Sequence, residues 1–134
     1  EDALYTVYAD VAGKRKGEGV GVLRDVIIAD SDEAARRMWD DSGRFTGRAW
    51  FEPFGFRQGL QDPVTKAFPT PEQVIADGYA FVGTVDTVIR GLEAIMKRQP
   101  IDGVFCYTYN NLVPHDVLMR SIELFQTKVL PRFT

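Results

Sequence analysis

GYAFVGTVDTVIRGLEAIMKRQPIDGVFCYTY, residues 78–109, decides the fold class. Ala80 to Gly83 is a short apolar run that breaks at Gly83-Thr84. Val85, Val88, Ile89, Leu92, Ile95 and Met96 then recur at helical spacing, and DGVFCYTY is a second apolar run rich in β-branched and aromatic residues. Strand, helix and returning strand make a βαβ crossover, which joins parallel strands and predicts an α/β protein.

Upstream, VGVLRDVIIADS (residues 20–31) reads as a buried strand interrupted by Arg24 and Asp25. It runs into a helix with Ser31 as N-cap and Asp32 and Glu33 in the first turn, where free backbone N–H groups favour oxygen and negative charge. Before it, Leu4, Val7, Tyr8 and Val11 form the apolar face of a first helix that ends near Gly13. That helix starts without a capping residue or an initiator Met, which reads as a piece of something longer. TPEQVIADG (residues 70–78) predicts a short helix with a Thr70–Gln73 capping box, Pro71 in the first turn and Gly78 as the stop. Pro114 opens a last helix with Val117, Leu118, Ile122, Leu124, Phe125 and Val129 on its apolar side, and Pro131 is expected to end it.

Composition narrows the function classes. The chain has 134 residues and a formal charge of −3, so no broad positive field marks a nucleic-acid partner. Lys14, Arg15 and Lys16 are too short a run to reverse that, and read as a solvated turn. One cysteine and one histidine rule out an internal disulfide, a thiolate cluster and a two-histidine metal site. No apolar run nears the roughly 20 residues of a membrane span, and the expectation is a chain of the reducing cytoplasm.

Local motifs are few. The glycines of GEGVGV precede a strand, whereas a dinucleotide fingerprint follows one, and neither a P-loop nor a nucleophile elbow is present. His115, beside Pro114, reads as a surface or capping residue, and Cys106, between Phe105 and Tyr107, as a small core hydrophobe. Two stretches remain as site candidates. Residues 43–70 carry Trp50, Phe51, Phe54 and Phe56 in a long aromatic segment, expected to be a lid or insertion loop. Tyr107, Tyr109 and Asn110 close the last strand at its carboxyl end, where parallel α/β folds bind ligands. The alternative for Asn110 and Asn111 is a plain turn.

Three segments together carry a resemblance. VGVLRDVIIADSDEAARRMW, FVGTVDTVIRGLEAI and DGVFCYTYNNLVPHDVLMRSIELFQTKVLPRF resemble, in order and spacing, the carboxyl-terminal part of the bacterial luciferase-like flavin-dependent monooxygenases. The closing-helix pattern falls on Pro114, Arg120, Ser121, Glu123, Leu124, Phe125, Val129 and Pro131. Val85 departs from the proline that the family commonly has after Gly-Thr.

The resemblance implies an eight-stranded β/α (TIM) barrel, a fold of about 250 residues. This chain would supply about two βα units and a long loop, as one partial domain over residues 1–134. It implies reduced FMN from a separate flavin reductase, or a deazaflavin coenzyme in some branches. The reduced flavin reacts with O2 to oxygenate an organic, apolar substrate, with Trp50, Phe51, Phe54 and Phe56 as lid and Tyr107, Tyr109 and Asn110 as weak cofactor-side candidates. Most of the flavin pocket would lie outside this chain, so the piece alone is expected to be inactive and to hold no flavin. Association of copies through open strand edges is an expectation of the same reading. The rival reading is a noncatalytic α/β binding or interaction module whose aromatic loop docks a partner.

Overall fold

The computed structural model describes residues 2–46, 53–55, 61–98, 100–107 and 113–134. In chain order these form α1 (Asp2–Ala12), β1 (Gly21–Ile28), α2 (Asp32–Thr46), α3 (Pro71–Ala76), β2 (Ala80–Gly83), α4 (Val85–Arg98), β3 (Gly103–Tyr107) and α5 (His115–Leu124). The expected α/β class and parallel pairing hold. The three described strands make one parallel sheet in the order β2-β1-β3, so the β2–α4–β3 crossover passes over β1.

The two pairings are staggered along β1. Gly21 to Asp25 lie opposite Gly103 to Tyr107 of β3, while Asp25 to Ile28 lie opposite Ala80 to Gly83 of β2. Asp25 is thus the position flanked by both neighbours.

Strand alternation sends β1 side chains to two layers. Val22, Val26 and Ile28 enter a core with Phe81, Val88, Leu92, Ile95, Leu124 and Val129. Ile27, Ala80 and Val82 enter a second core with Ala35 and Trp39 of α2 and Val113. Within α4, Val88, Leu92 and Ile95 are buried as the periodicity requires, but Met96 at the edge of the stripe is 43% exposed.

The local signals act where expected. Thr70 Oγ1 accepts from the Gln73 amide while the Gln73 side chain accepts from the Thr70 amide, and Ser31 Oγ accepts from the Ala34 amide. Gly78 takes φ +77° at the end of that short helix, a conformation that disfavours a side chain.

Three expectations need correction. The face Leu4, Val7, Tyr8 and Val11 turns outward, with Leu4 72% and Val11 84% exposed, while Ala9 is buried and Tyr5 packs against the first core. Periodicity identified residues that share a face, but no described element lies against it. Helix α2 runs on to Thr46, taking in the first residues of the 43–70 stretch. The last helix changes pitch before Pro131: Phe125–Val129 is a π turn, followed by a 3-10 turn at Leu130–Arg132. Pro131 has no N–H to donate back to Thr127, so the regular ladder cannot close there.

Candidate functional site

The carboxyl ends of β1 and β2 are joined by a clasp built on Asp32. As first residue of α2 it reaches across to α4: Oδ1 accepts from the Thr84 amide at 2.7 Å and Oδ2 from the Thr87 hydroxyl at 3.1 Å. These donors, the Thr84 amide foremost and then the Thr87 hydroxyl, hold the carboxyl below its ordinary range. Gly83 makes room for it, because a Cβ there would fall 2.5 Å from Asp32 Oδ1. The clasp also has a chemical consequence. The first turn of α4 already faces a carboxylate, so a phosphate placed there would meet a like charge.

Next to the clasp, on the α2 side of the sheet, stands Asp25. Trp39 of α2 donates its indole N–H to Asp25 Oδ2 at 2.9 Å. Burial raises the Asp25 carboxyl above its ordinary range, against the smaller lowering effect of that hydrogen bond. Trp39 is itself buried and lies 5.4 Å under the Arg36 guanidinium, which pairs with Asp40 and Glu72. Arg24 points to the opposite layer, where Nε donates to the Gly78 carbonyl at 2.7 Å and the guanidinium stacks on Tyr79.

Toward the amino end, the same side of the sheet loses its cover. Leu23 and Phe105 lie in register on β1 and β3 and are 61% and 66% exposed. An open pair of large apolar side chains therefore adjoins, on its amino-terminal side, the half-buried Asp25 carboxyl in the middle of the sheet.

The candidates from sequence fare unevenly. Tyr107 ends β3 in register with Asp25. Phe54 lies in a turn over residues 53–55 and is 63% exposed. Trp50, Phe51, Phe56, Tyr109 and Asn110 lie outside the described residues. His115 is exposed at the start of α5. Cys106 packs part-buried against the first core, and burial raises its thiol above the ordinary range. Sequence reading treated Asp25 only as an interruption of an apolar run. That interruption was the available signal, because a carboxyl in a buried strand needs a partner or a use.

Other features carry less. The two best-defined surface hollows among the described residues lie elsewhere, one at the amino end of the sheet around Arg15, Met96 and Asp102, the other outside α4 around Arg90 and Lys128. Both are open, and neither adjoins Asp25. Among the described residues no group of three His, Cys, Asp or Glu side chains could hold a metal ion, and no helix is long and apolar enough to cross a membrane.

No protein-family model and no curated protein matches the chain. Solved structures do. The chain is similar to the monooxygenase RslO1 from Streptomyces bottropensis, with a TM-score of 0.73 and 19% identity over 98% of this chain and 36% of that one. It is also similar to the oxygenating constituent of 3,6-diketocamphane monooxygenase from the CAM plasmid of Pseudomonas putida, a type II Baeyer-Villiger monooxygenase in complex with FMN. There the TM-score is 0.74 and the identity 21%, over 99% of this chain and 40% of that one. At these identities the likeness is one of fold. The chain spans well under half the length of either neighbour.

Proposed function

We propose that this chain forms the carboxyl-terminal β/α portion of a flavin-dependent monooxygenase of the luciferase-like kind, a barrel enzyme acting on an apolar organic substrate. The observation that carries the reading is the fold match over 98–99% of the chain to two monooxygenases, one of them in complex with FMN. It agrees with the sequence resemblance, which rests on different information: the order of motifs rather than the course of the backbone.

Reduced flavin, when bound, supplies the electrons for activating O2, and the protein orients reactants and excludes water. The residues present suit part of that task. Leu23 and Phe105 offer an apolar surface for a ring system or substrate, and Tyr107, at the end of β3, remains proposed as a rim residue. They do not suit the cofactor's phosphate, since the Asp32 carboxylate of α2 already faces the first turn of α4. In this reading the phosphate is held by other parts of the enzyme, and the 134 residues alone neither retain flavin nor turn over. FMN delivered by a separate reductase is the proposed cofactor, with a deazaflavin as the alternative. Trp50, Phe51, Phe54 and Phe56 remain proposed as lid residues, and Tyr109 and Asn110 as rim.

The test is a chimera in which this chain replaces the matched segment of the Pseudomonas putida enzyme. A folded chimera is expected to bind FMN and to couple oxidation of reduced FMN to oxygenation of an added organic substrate. A folded chimera that leaves FMN free at micromolar concentrations would overturn the reading. Micromolar FMN binding by the 134-residue chain alone would overturn the assignment of the phosphate site to other parts.

A further inference from the structure

We propose that the hollow between the outer side of α4 and the closing turns of the chain is an isologous interface, in which a second copy of this chain docks about a two-fold axis. Nothing in this depends on a flavin or on the monooxygenase reading.

The helix repeat sets up the surface. Val88, Leu92 and Ile95 of α4 are buried against the sheet, which turns Asp86, Arg90 and Glu93, at i, i+4 and i+7, to the exposed side away from it. The π turn Phe125–Val129 packs against α4. Together with the 3-10 turn that follows, it brings Lys128 and Arg132 into the lining of the same hollow, of about 410 Å³. Val85 and Ile89, partly buried against the first core, supply its apolar lining.

The two signs of charge stay apart within one chain. Arg90 donates to Thr87 Oγ1 at 2.9 Å, toward the Asp32 clasp. Among the described residues neither Lys128 nor Arg132 forms an ion pair with Asp86 or Glu93. The hollow thus presents two cations and two carboxylates to solvent, beside apolar side chains.

That pattern selects the occupant. A partner of one sign, such as a polyanion or an acidic peptide, would meet like charge over half of the surface. A surface that carries both signs is complementary to itself. A two-fold axis through the hollow sets Lys128 and Arg132 of one copy against Asp86 and Glu93 of the other, and the reverse, and brings Val85 and Ile89 together near the axis. The formal charge of −3 gives two copies no overall attraction, so the contact depends on this local arrangement. A patch this small lies below the standard interface, and the expected dissociation constant is about 100 μM.

Sedimentation equilibrium of the 134-residue chain up to about 1 mM tests this, first in about 20 mM salt. A monomer–dimer equilibrium is expected, weakened at least about tenfold by about 300 mM salt, which screens exposed charges. Lys128→Glu with Arg132→Glu leaves Arg90 as the one cation lining the hollow, and Asp86→Lys with Glu93→Lys makes its charges all basic. Each doubly substituted chain alone should self-associate at least about tenfold more weakly than wild type. An equimolar mixture should form a heterodimer with about the wild-type constant, because acidic then meets basic on both sides of the axis.

A wild type that stays monomeric at about 1 mM, self-association unchanged by either reversal, or a mixture no tighter than its components would each overturn the proposal. So would an acidic peptide that shifts the NMR signals of the hollow while the chain remains monomeric. Should a variant fail to fold, the wild type decides. The amide signals that move with dimerisation must include those of Asp86, Ile89, Glu93 and Lys128, and movement confined to the edge of β3 overturns the assignment.

Discussion

Replacing Asp32 with alanine tests the clasp that holds the carboxyl end of the sheet together. The substitution removes the acceptor of the Thr84 amide at 2.7 Å and of the Thr87 hydroxyl at 3.1 Å, and with them the tie between α2 and α4. Hydrogen bonds to a charged group contribute about 1.5–3 kcal/mol each where solvent is excluded. The Asp32 contacts are exposed, so screening and competing water reduce the pair together to about 1–2 kcal/mol. In a domain of this size that lowers Tm by about 3–8 °C. The pH dependence follows from the donors. They lower the folded-state carboxyl from the ordinary 3.8, so between that value and the lower folded one the unfolded chain binds more protons. The stabilisation is therefore full above 3.8 and is lost as pH falls through the folded value. Urea denaturation of wild type and Asp32→Ala should show the full difference near about pH 7 and a shrinking one as pH falls below the ordinary aspartate range. In a cycle with Thr87→Val, the two losses should be less than additive by about 0.5 kcal/mol or more, because the residues share a bond. A difference that persists undiminished in acid, or strict additivity with Thr87→Val, would refute the clasp as a charge-assisted link.

Asp25→Asn should match or exceed the wild type in stability at neutral pH. Burial raises the Asp25 carboxyl, so its contribution is full below 3.8 and falls as pH rises through the raised value; chemical denaturation across that window checks the sign. Ile95→Ala, at a side chain 1% exposed between α4 and the sheet, should lose about 2–5 kcal/mol in the same assay. Cys106, part-buried with its thiol raised by burial, should react with a disulfide reagent at about pH 8 at least about tenfold more slowly in the native chain than in urea. Equal rates would place the thiol in open solvent.

Much of the fold was legible because its signals are local. The Thr70–Gln73 box, the Ser31 cap and the apolar stripe of α4 each depend on residues within a few positions of one another, and each formed as read. A strand–helix–strand order points to parallel strands, which need such a crossover to be joined. What the order could not say is which strand lies in the middle. Placing β1 between β2 and β3 makes Asp25 the residue flanked on both sides, and that depends on packing among segments more than fifty residues apart.

The site was less legible for the same reason. The aromatic candidates were chosen by density and position along the chain, whereas the carboxyls that matter are defined by neighbours distant in sequence: Thr84 for Asp32, Trp39 for Asp25. The first helix shows the limit most directly. Its sequence determined that Leu4, Val7 and Val11 share a face, since a 3.6-residue repeat puts them there. Only the tertiary structure decided that Tyr5 and Ala9 face the core and that apolar face looks outward, because burial belongs to what packs against a surface and not to the surface itself.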